Sequence, residues 1–200
     1  MANETPEFTS VEKKDAYELR RYAPTIEAQV IVSGAYRSTM GASFRLLAGY
    51  IFGKNRSADG GSQKIAMTAP VTAQQTARTS ALETDDDKRS WLVTFTMPRE
   101  WTMESLPRPK DSRVVLVENP GGLYVARRFA GKLQKPADWL AEESGLRRAL
   151  VTAGLVATGP TLTAQYNGPW VPGPMRKNEV LIPVRCVTDG DERCKAAVAP

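Results

Sequence analysis

The stretch GASFRLLAGYI, Gly41–Ile51, decides the fold class because its apolar residues repeat with the period of an α-helix. They recur at i, i+3, i+4 and i+7 and so share one helical face: Phe44, Leu47, Ala48 and Ile51. Gly53 lies just beyond and is suited to end a helix. The sequence therefore predicts a helix over Gly41–Ile51, in a chain whose neighbouring segments have a different period.

Segments on both sides of this helix have the period and composition of β-strands. Alternating or β-branched residues predict four of them: Tyr17–Tyr22, Ile26–Ser33, Lys64–Val71 and Trp91–Met97. The first two are expected to pair across the turn at Ala23 and Pro24. The polar stretch Ala73–Ser90 is typical of a mobile loop.

The second half of the chain repeats this order after Pro98–Asp111, whose three prolines are typical of a linker. A helix is predicted over Pro136–Gly154, with strands at Val114–Glu118, Leu123–Phe129, Thr161–Tyr166 and Glu179–Val184. The pattern is ββαββ twice, in halves at 9–98 and 111–184. We expect an α+β fold in which the duplicated halves form one distorted antiparallel β-barrel or sheet with two flanking helices. This single domain spans 1–184, and a polar tail, 185–200, follows it.

Composition excludes several kinds of site. The 200 residues include no histidine, which removes the Ser-His-Asp relay and the commonest ligand of zinc and haem. Cys186 and Cys194 match no metal motif, and two free thiols are favoured over a disulfide that fixes the tail. The net charge of +5 is spread along the chain, which disfavours nucleic acid as a partner and suits the steering of an anionic ligand.

Location and assembly are predicted from what the sequence lacks. The N-terminal residues have no apolar signal-peptide core, and no window approaches about 18 uninterrupted apolar residues. We therefore expect a soluble, cytoplasmic monomer without a membrane span, unless an export signal has been trimmed.

Six motifs, in family order between residues 9 and 184, resemble the SOUL family of haem-binding proteins. They are YELRRYAP (Tyr17–Pro24), SFRLLAGYIFGKN (Ser43–Asn55), KIAMTAPV (Lys64–Val71), FTMP (Phe95–Pro98), AQYNGPW (Ala164–Trp170) and RKNEVLIPV (Arg176–Val184). KIAMTAPV and RKNEVLIPV are the most specific of them. The resemblance implies a duplicated antiparallel barrel with two helices, related in fold to the effector-binding domains of certain bacterial regulators.

The resemblance also implies reversible, non-covalent binding of haem or another tetrapyrrole in a cleft beside the first helix and the loop Gly168–Lys177. Members proposed to ligate iron through histidine carry it at the position of Arg21, so no histidine ligation is expected here. Leu46, Leu47 and Tyr50 are assigned to the sheet. The residues expected at the ligand lie on the other side of the helix, in the loop, and at flanking cations: Gly41, Phe44, Ala48, Ile51, Trp170, Val171, Met175, Arg21, Arg45, Arg176 and Lys177.

Other interpretations fit the same residues. Both sides of the helix are also explained as core, and each of the four cations is also explained as a solvated surface charge. Iron, if it is ligated, requires a methionine such as Met175, a tyrosine or a cysteine.

Two other functions are also open. Related folds include small-molecule hydrolases that use a buried glutamate, and an enzyme that removes metal from tetrapyrroles is a variant of this idea. Glu27, Glu118 and Glu179 are the available carboxylates, although Glu27 and Glu179 also look like ordinary strand-surface charges. No nucleophile elbow, phosphate loop or HExxH motif supports catalysis. A sensor for another flat apolar effector, such as a hydrophobic cation, is the second alternative.

Overall fold

A curled antiparallel sheet and two α-helices make up the part of the chain that the computed structural model describes, residues 3–76, 89–168, 170–188 and 190–195. The helices are α1, Tyr36–Ile51, and α2, Leu140–Ala153. The strands are β1 Phe8–Lys13, β2 Glu18–Tyr22, β3 Thr25–Ser33, β4 Asn55–Arg56, β5 Val71–Gln75, β6 Ser90–Thr96, β7 Arg108–Pro109, β8 Val115–Asn119, β9 Gly122–Phe129, β10 Leu155–Ala157, β11 Leu162–Gln165 and β12 Asn178–Cys186. The predicted α+β class, with two helices flanking one antiparallel sheet, is confirmed.

The order of strands in the sheet shows how the chain closes on itself. The order is β1-β2-β9-β12-β11-β5-β6-β3-β8, while β10 pairs with β12, and β4 and β7 form a separate ribbon. The expected hairpin between the first two predicted strands is wrong, because β2 pairs with β1 and β9 whereas β3 pairs with β6 and β8. These two strands lie second from opposite ends of the sheet. The short connection at Ala23 and Pro24 can join them because the sheet curls and brings its ends together.

Strand alternation gives the sheet two chemically different faces, since successive side chains point to opposite sides. On the side that packs against α1 and α2, which we call the helix face, the core residues Leu19, Val30 and Val180 are fully buried. Burial of each such side chain contributes about 1.5–3 kcal/mol. The opposite side, which we call the open face, carries no helix in the described part of the chain.

Helix α1 begins five residues earlier than the sequence predicts. Its first residue, Tyr36, is buried against Trp91 and Trp139, with ring centroids 4.8 Å apart in both cases. The Tyr36 hydroxyl lies 3.1 Å from that of Thr163, so tertiary contacts fix this first helical turn. The residues that follow Tyr36 are polar and do not continue the apolar period, so the sequence pattern did not predict the turn. The helix ends near Gly53, as expected, and Gly53 has a φ of 113°.

The strand predicted over Lys64–Val71 is wrong in its bounds. Residues 64–70 are irregular, and the strand β5 begins only at Val71. Pro70 has no backbone N–H and cannot donate to a ladder, and its bond to Ala69 is cis. Strand β5 occupies the start of the stretch predicted as a loop, whose residues 77–88 lie outside the described part of the chain.

Residues 185–188 and 190–195 of the predicted C-terminal tail contact the rest of the fold. Cys186 and Cys194 form a disulfide, so the expectation of two free thiols is wrong. Arg193 donates to Asp191, Glu12 and the carbonyl of Ala153, which holds this segment against β1 and α2. Disulfides persist mainly in oxidising compartments, so the pairing does not suit the expected cytoplasmic location, which stays a prediction.

Neither described helix combines the length and the apolar content that are needed to cross a bilayer.

Candidate binding site

The open face contains a cavity of about 210 Å³ between β2, β9, β11 and β12, which we call the open-face cavity. The pairing register sets its lining: Arg20 lies opposite Tyr124, and Glu179 lies opposite Arg128, all on the side away from the helices. Their neighbours Leu19, Val125 and Val180 point into the core on the helix face. The side chains that line this cavity include Arg20, Tyr22, Tyr124, Arg128, Tyr166 and Glu179.

Glu179 is the centre of a hydrogen-bond network in this cavity, with 0% of its surface exposed. Its carboxylate accepts from Arg20 at 2.9 and 3.1 Å, from Arg128 at 3.0 and 3.2 Å, and from the Tyr166 hydroxyl at 2.7 Å. Burial by itself would raise the pKa of Glu179, but the hydrogen bonds from Arg20, Tyr166 and Arg128 outweigh it and hold the pKa below its ordinary value. The group is therefore a fully satisfied carboxylate at neutral pH.

The two arginines of this network have different roles. Arg20 is 3% exposed and also donates to Glu18 and to the Tyr22 hydroxyl, so its donors are used within the protein. The Arg128 side chain is 57% exposed while it donates to Glu179 through Nε and Nη2, which leaves Nη1 without a hydrogen-bond partner among the described residues. Arg128 is thus the cation of the network that a ligand can reach.

Aromatic rings form the apolar part of the cavity. The Phe8 and Tyr22 centroids lie 5.2 Å apart, and Tyr22 meets Tyr124 edge-on at 5.4 Å. Arg20 stacks over the Phe8 ring at 4.4 Å, and Lys177 lies 4.5 Å from the Tyr166 ring centroid. Burial raises the pKa of Tyr22 and Tyr124, so both stay neutral phenols near pH 7. The result is an aromatic surface bordered by cations, which suits a flat anionic ligand.

A second hollow of about 550 Å³, which we call the outer cavity, adjoins the open-face cavity. The two share part of their lining: Thr5, Pro6, Ala23, Thr25, Thr96 and Asn119. Met97 and Trp101 belong to the outer cavity alone. Thr5 and Pro6, just before β1, therefore border both hollows.

The sequence profile of the SOUL heme-binding protein family matches residues 3–183, which is nearly the whole chain. The chain belongs to the SOUL heme-binding protein family. None of the curated proteins searched matches the chain significantly.

Solved structures similar to this SOUL chain share its fold at low sequence identity. An uncharacterized conserved protein from Listeria innocua is 16% identical, with 92% of this chain and 93% of that one covered and a TM-score of 0.58. A hydrolase from Listeria innocua is 15% identical over the same shares, with a TM-score of 0.55. The EcmrR C-terminal domain is 11% identical over 86% of this chain and 99% of that one, with a TM-score of 0.62. At these identities the similarity shows the fold alone.

On α1, the SOUL chain presents fewer of the predicted ligand residues than expected. Ile51 is 1% exposed and Ala48 is 9% exposed, so the helix turns both toward the sheet with Leu47 and Tyr50, and their contact with a ligand stays a prediction. Phe44 remains 41% exposed beside Phe95, and Gly41 and Arg45 are exposed with it. Whether this smaller surface contacts a ligand stays a prediction.

The predicted loop residues of the SOUL chain do not meet α1 in a common cavity. Trp170 and Met175 are exposed, Val171 is half-buried, and Arg176 donates to the Val171 carbonyl at 2.8 Å. Of the five hollows found among the described residues, none is lined by residues of both α1 and this loop. Lys177 is the one predicted residue that lines the open-face cavity.

Arg21 was predicted to contact the ligand, and the structure shows that its neighbour Arg20, rather than Arg21, lines the open-face cavity. Arg21 lies on the other side of β2 from Arg20 and donates to the carbonyls of Arg193 and Lys195. The alternation within YELRRY contained this signal, because Arg20 and Tyr22 share a side that excludes Arg21. The interpretation of Glu179 as a surface charge is also wrong, because Glu179 is fully buried and bonds to Arg20 on β2, Arg128 on β9 and Tyr166 just after β11.

Proposed function

We propose that this SOUL chain binds a tetrapyrrole non-covalently, and that the open-face cavity is the site. The observation that carries the proposal is the combination of tyrosine rings with the accessible cations Arg128 and Lys177 in one cavity. A tetrapyrrole offers the matching parts, a flat apolar macrocycle and carboxylate side chains. Burial of roughly 300 Å² of the ring, at about 25 cal/mol per Å², would contribute about 7–8 kcal/mol before the entropic cost of binding.

The charges of the cavity favour an anion over a cation. Three cations, Arg20, Arg128 and Lys177, line it against the two carboxylates Glu27 and Glu179. Because Glu179 already accepts hydrogen bonds from two arginines, its negative charge is compensated and does not attract a hydrophobic cation. This balance supports a tetrapyrrole over the cationic effector that the sequence also left open.

The same network argues against hydrolysis. A general base works best with a pKa near the working pH and a lone pair directed at the substrate. The pKa of Glu179 is lowered instead, and its oxygens are occupied by Arg20, Arg128 and Tyr166. We therefore infer a binding function for this carboxylate network, in which Glu179 holds the arginines in position.

Binding is proposed to depend on the ring and its carboxylates rather than on an iron bond. The chain has no histidine, and the raised pKa values of Tyr22 and Tyr124 disfavour ligation by a tyrosine anion in the cavity. Metal-free protoporphyrin should accordingly bind about as tightly as haem. The α1 surface around Gly41, Phe44 and Arg45 is the alternative location, and it calls for a direct comparison.

Two matched variants test the proposal and its location, since each replaces an aromatic residue by glutamate on a different face. Tyr124→Glu places a negative charge in the open-face cavity, and Phe44→Glu places one on α1. In fluorescence titrations with protoporphyrin we expect Tyr124→Glu to weaken binding about tenfold or more, which is about 1.4 kcal/mol, and Phe44→Glu to change it less than about twofold. Circular dichroism checks that both variants fold.

The same titrations are run with tetraphenylborate and tetraphenylphosphonium, an anion and a cation of similar shape. We expect the anion to bind more tightly to the unaltered protein. Tighter binding of the cation, or loss of protoporphyrin binding in Phe44→Glu but not in Tyr124→Glu, would overturn the proposed site.

A further inference from the structure

We propose that Glu4–Phe8 is a displaceable strap across a single ligand groove, and that a ligand enters by lifting it. The inference rests on the proposed function, because it concerns how a tetrapyrrole reaches the open-face cavity. Thr5 and Pro6, in the middle of the strap, line both that cavity and the outer cavity. The strap therefore forms part of the boundary between the two hollows, together with Ala23, Thr25, Thr96 and Asn119, and lifting it would widen the passage between them.

Size is the first argument for a strap that moves. Pockets for small molecules usually measure about 300–1,000 Å³, and the open-face cavity measures about 210 Å³. The outer cavity adds about 550 Å³. Joined, the two hollows reach the range that a large flat ligand needs, whereas the open-face cavity alone does not.

The anchors of the strap are few and lie at the surface. The Ala69 N–H donates to the Glu4 carbonyl at 2.8 Å, the Ala23 N–H donates to the Glu7 carbonyl at 3.0 Å, and the Arg99 N–H donates to the Glu4 carboxylate at 2.9 Å. Phe8, the last residue of the strap, pairs with Tyr22 at the start of β1. The Arg99 side chain forms ion pairs with Glu4 and Glu7, all three in contact with solvent. Exposed ion pairs are individually weak and are screened by salt. The strap is therefore held by contacts that can be released one at a time.

Little apolar surface holds the strap down. Thr5, Glu7 and Phe8 are exposed, and Phe8 rests on Tyr22 and Arg20 at the edge of the open-face cavity. Segments with few buried contacts are the ones that open locally while the rest of a domain stays folded. If only the open form accepts ligand, the apparent affinity falls with the fraction of molecules that are open. Loosening the strap should then speed and tighten binding.

Arg99→Ala tests this inference because the strap and simple electrostatics predict opposite results. Removal of a cation should slow the association of an anion if long-range attraction alone matters. A strap released by the loss of its ion pairs should instead speed association by several-fold. Arg113→Ala is the matched control, since Arg113 is an exposed arginine paired with Asp111 and lines neither cavity.

Two readouts separate the strap from the proposed function. Hydrogen exchange at the Ala23 and Ala69 amides reports strap opening directly, and stopped-flow fluorescence reports association of protoporphyrin and of anilinonaphthalene sulfonate, a small apolar anion. We expect Arg99→Ala to accelerate exchange at both amides and the association of both probes, and Arg113→Ala to change neither.

Unchanged hydrogen exchange in Arg99→Ala, or faster exchange without faster probe association, overturns the strap. If protoporphyrin binds to no variant while the sulfonate enters Arg99→Ala faster, the tetrapyrrole proposal fails and the strap stands.

Discussion

The two faces of the sheet are built from the same strands and have opposite chemistry. On β2, Leu19 is buried in the apolar core of the helix face while the next residue, Arg20, binds Glu179 on the open face. On β12, Val180 and Glu179 repeat the contrast. One face is held by apolar packing and the other by a satisfied charge network. Neighbouring residues of one strand thus belong to faces of opposite chemistry.

The largest effect is expected from breaking the charge network of the open face. Arg20→Met removes two of the hydrogen bonds to Glu179 and leaves a buried carboxylate with fewer partners. Loss of one member of a buried pair typically costs about 3–5 kcal/mol, and urea unfolding measures it. Replacing both members of a buried ion pair by apolar residues often leaves the free energy of unfolding nearly unchanged. The double variant Arg20→Met/Glu179→Leu should therefore recover much of the lost stability. A cost for Arg20→Met below about 1 kcal/mol, typical of an exposed pair, would contradict this description of the network.

A cavity made in the helix face should lower stability without touching the ligand. Leu47 on α1 is 0% exposed, and Leu47→Ala should cost about 2–4 kcal/mol in urea unfolding. Because Leu47 is on the far side of the sheet from the open-face cavity, protoporphyrin affinity should change less than about twofold under conditions where the variant is folded. A loss of affinity comparable with that of Tyr124→Glu would mean that the ligand uses the helix face.

The smallest effect is expected from acid, and its sign follows from the pKa of Glu179. Folding lowers this pKa, so the unfolded chain binds the proton more readily and stability is lost as pH falls through the folded value, below about 4.5. Glu179→Gln should flatten part of this acid loss. Melting temperatures measured from pH 7 to pH 3 check this prediction. An equal fall in melting temperature with pH for Glu179→Gln and the unaltered protein would refute it.

Most helices and strands could be predicted from the sequence because local residue patterns determine them. The alternation in Trp91–Met97 and the helical period in Gly41–Ile51 each mark an element that the structure contains, in β6 and α1. The β2–β3 hairpin failed because a short connection in a curled sheet can join strands at opposite ends. The disulfide was missed because sequence does not show that Cys194 returns to Cys186.

The site was less accessible because its residues come together only through long-range pairing. Glu179 meets Arg20 across 159 positions, and only the register between β2, β9 and β12 places both on one face. The sequence pointed to β2 through Arg21, whereas Arg20 is the arginine of that strand that lines the open-face cavity, and the alternation distinguishes the two. The two sides of α1 were also misjudged, since the azimuth of a helix on its sheet depends on packing: Ile51 is buried and Phe44 is exposed.

The most direct measurement is a map of the backbone amide shifts that protoporphyrin causes in nitrogen-15-labelled protein. If the open face holds the ligand, the largest changes lie on β2, β9 and β12, around Arg20, Arg128 and Glu179, and in the strap at Phe8. Changes concentrated on α1 around Phe44 and in the loop around Trp170, with the open-face strands unaffected, would contradict the account.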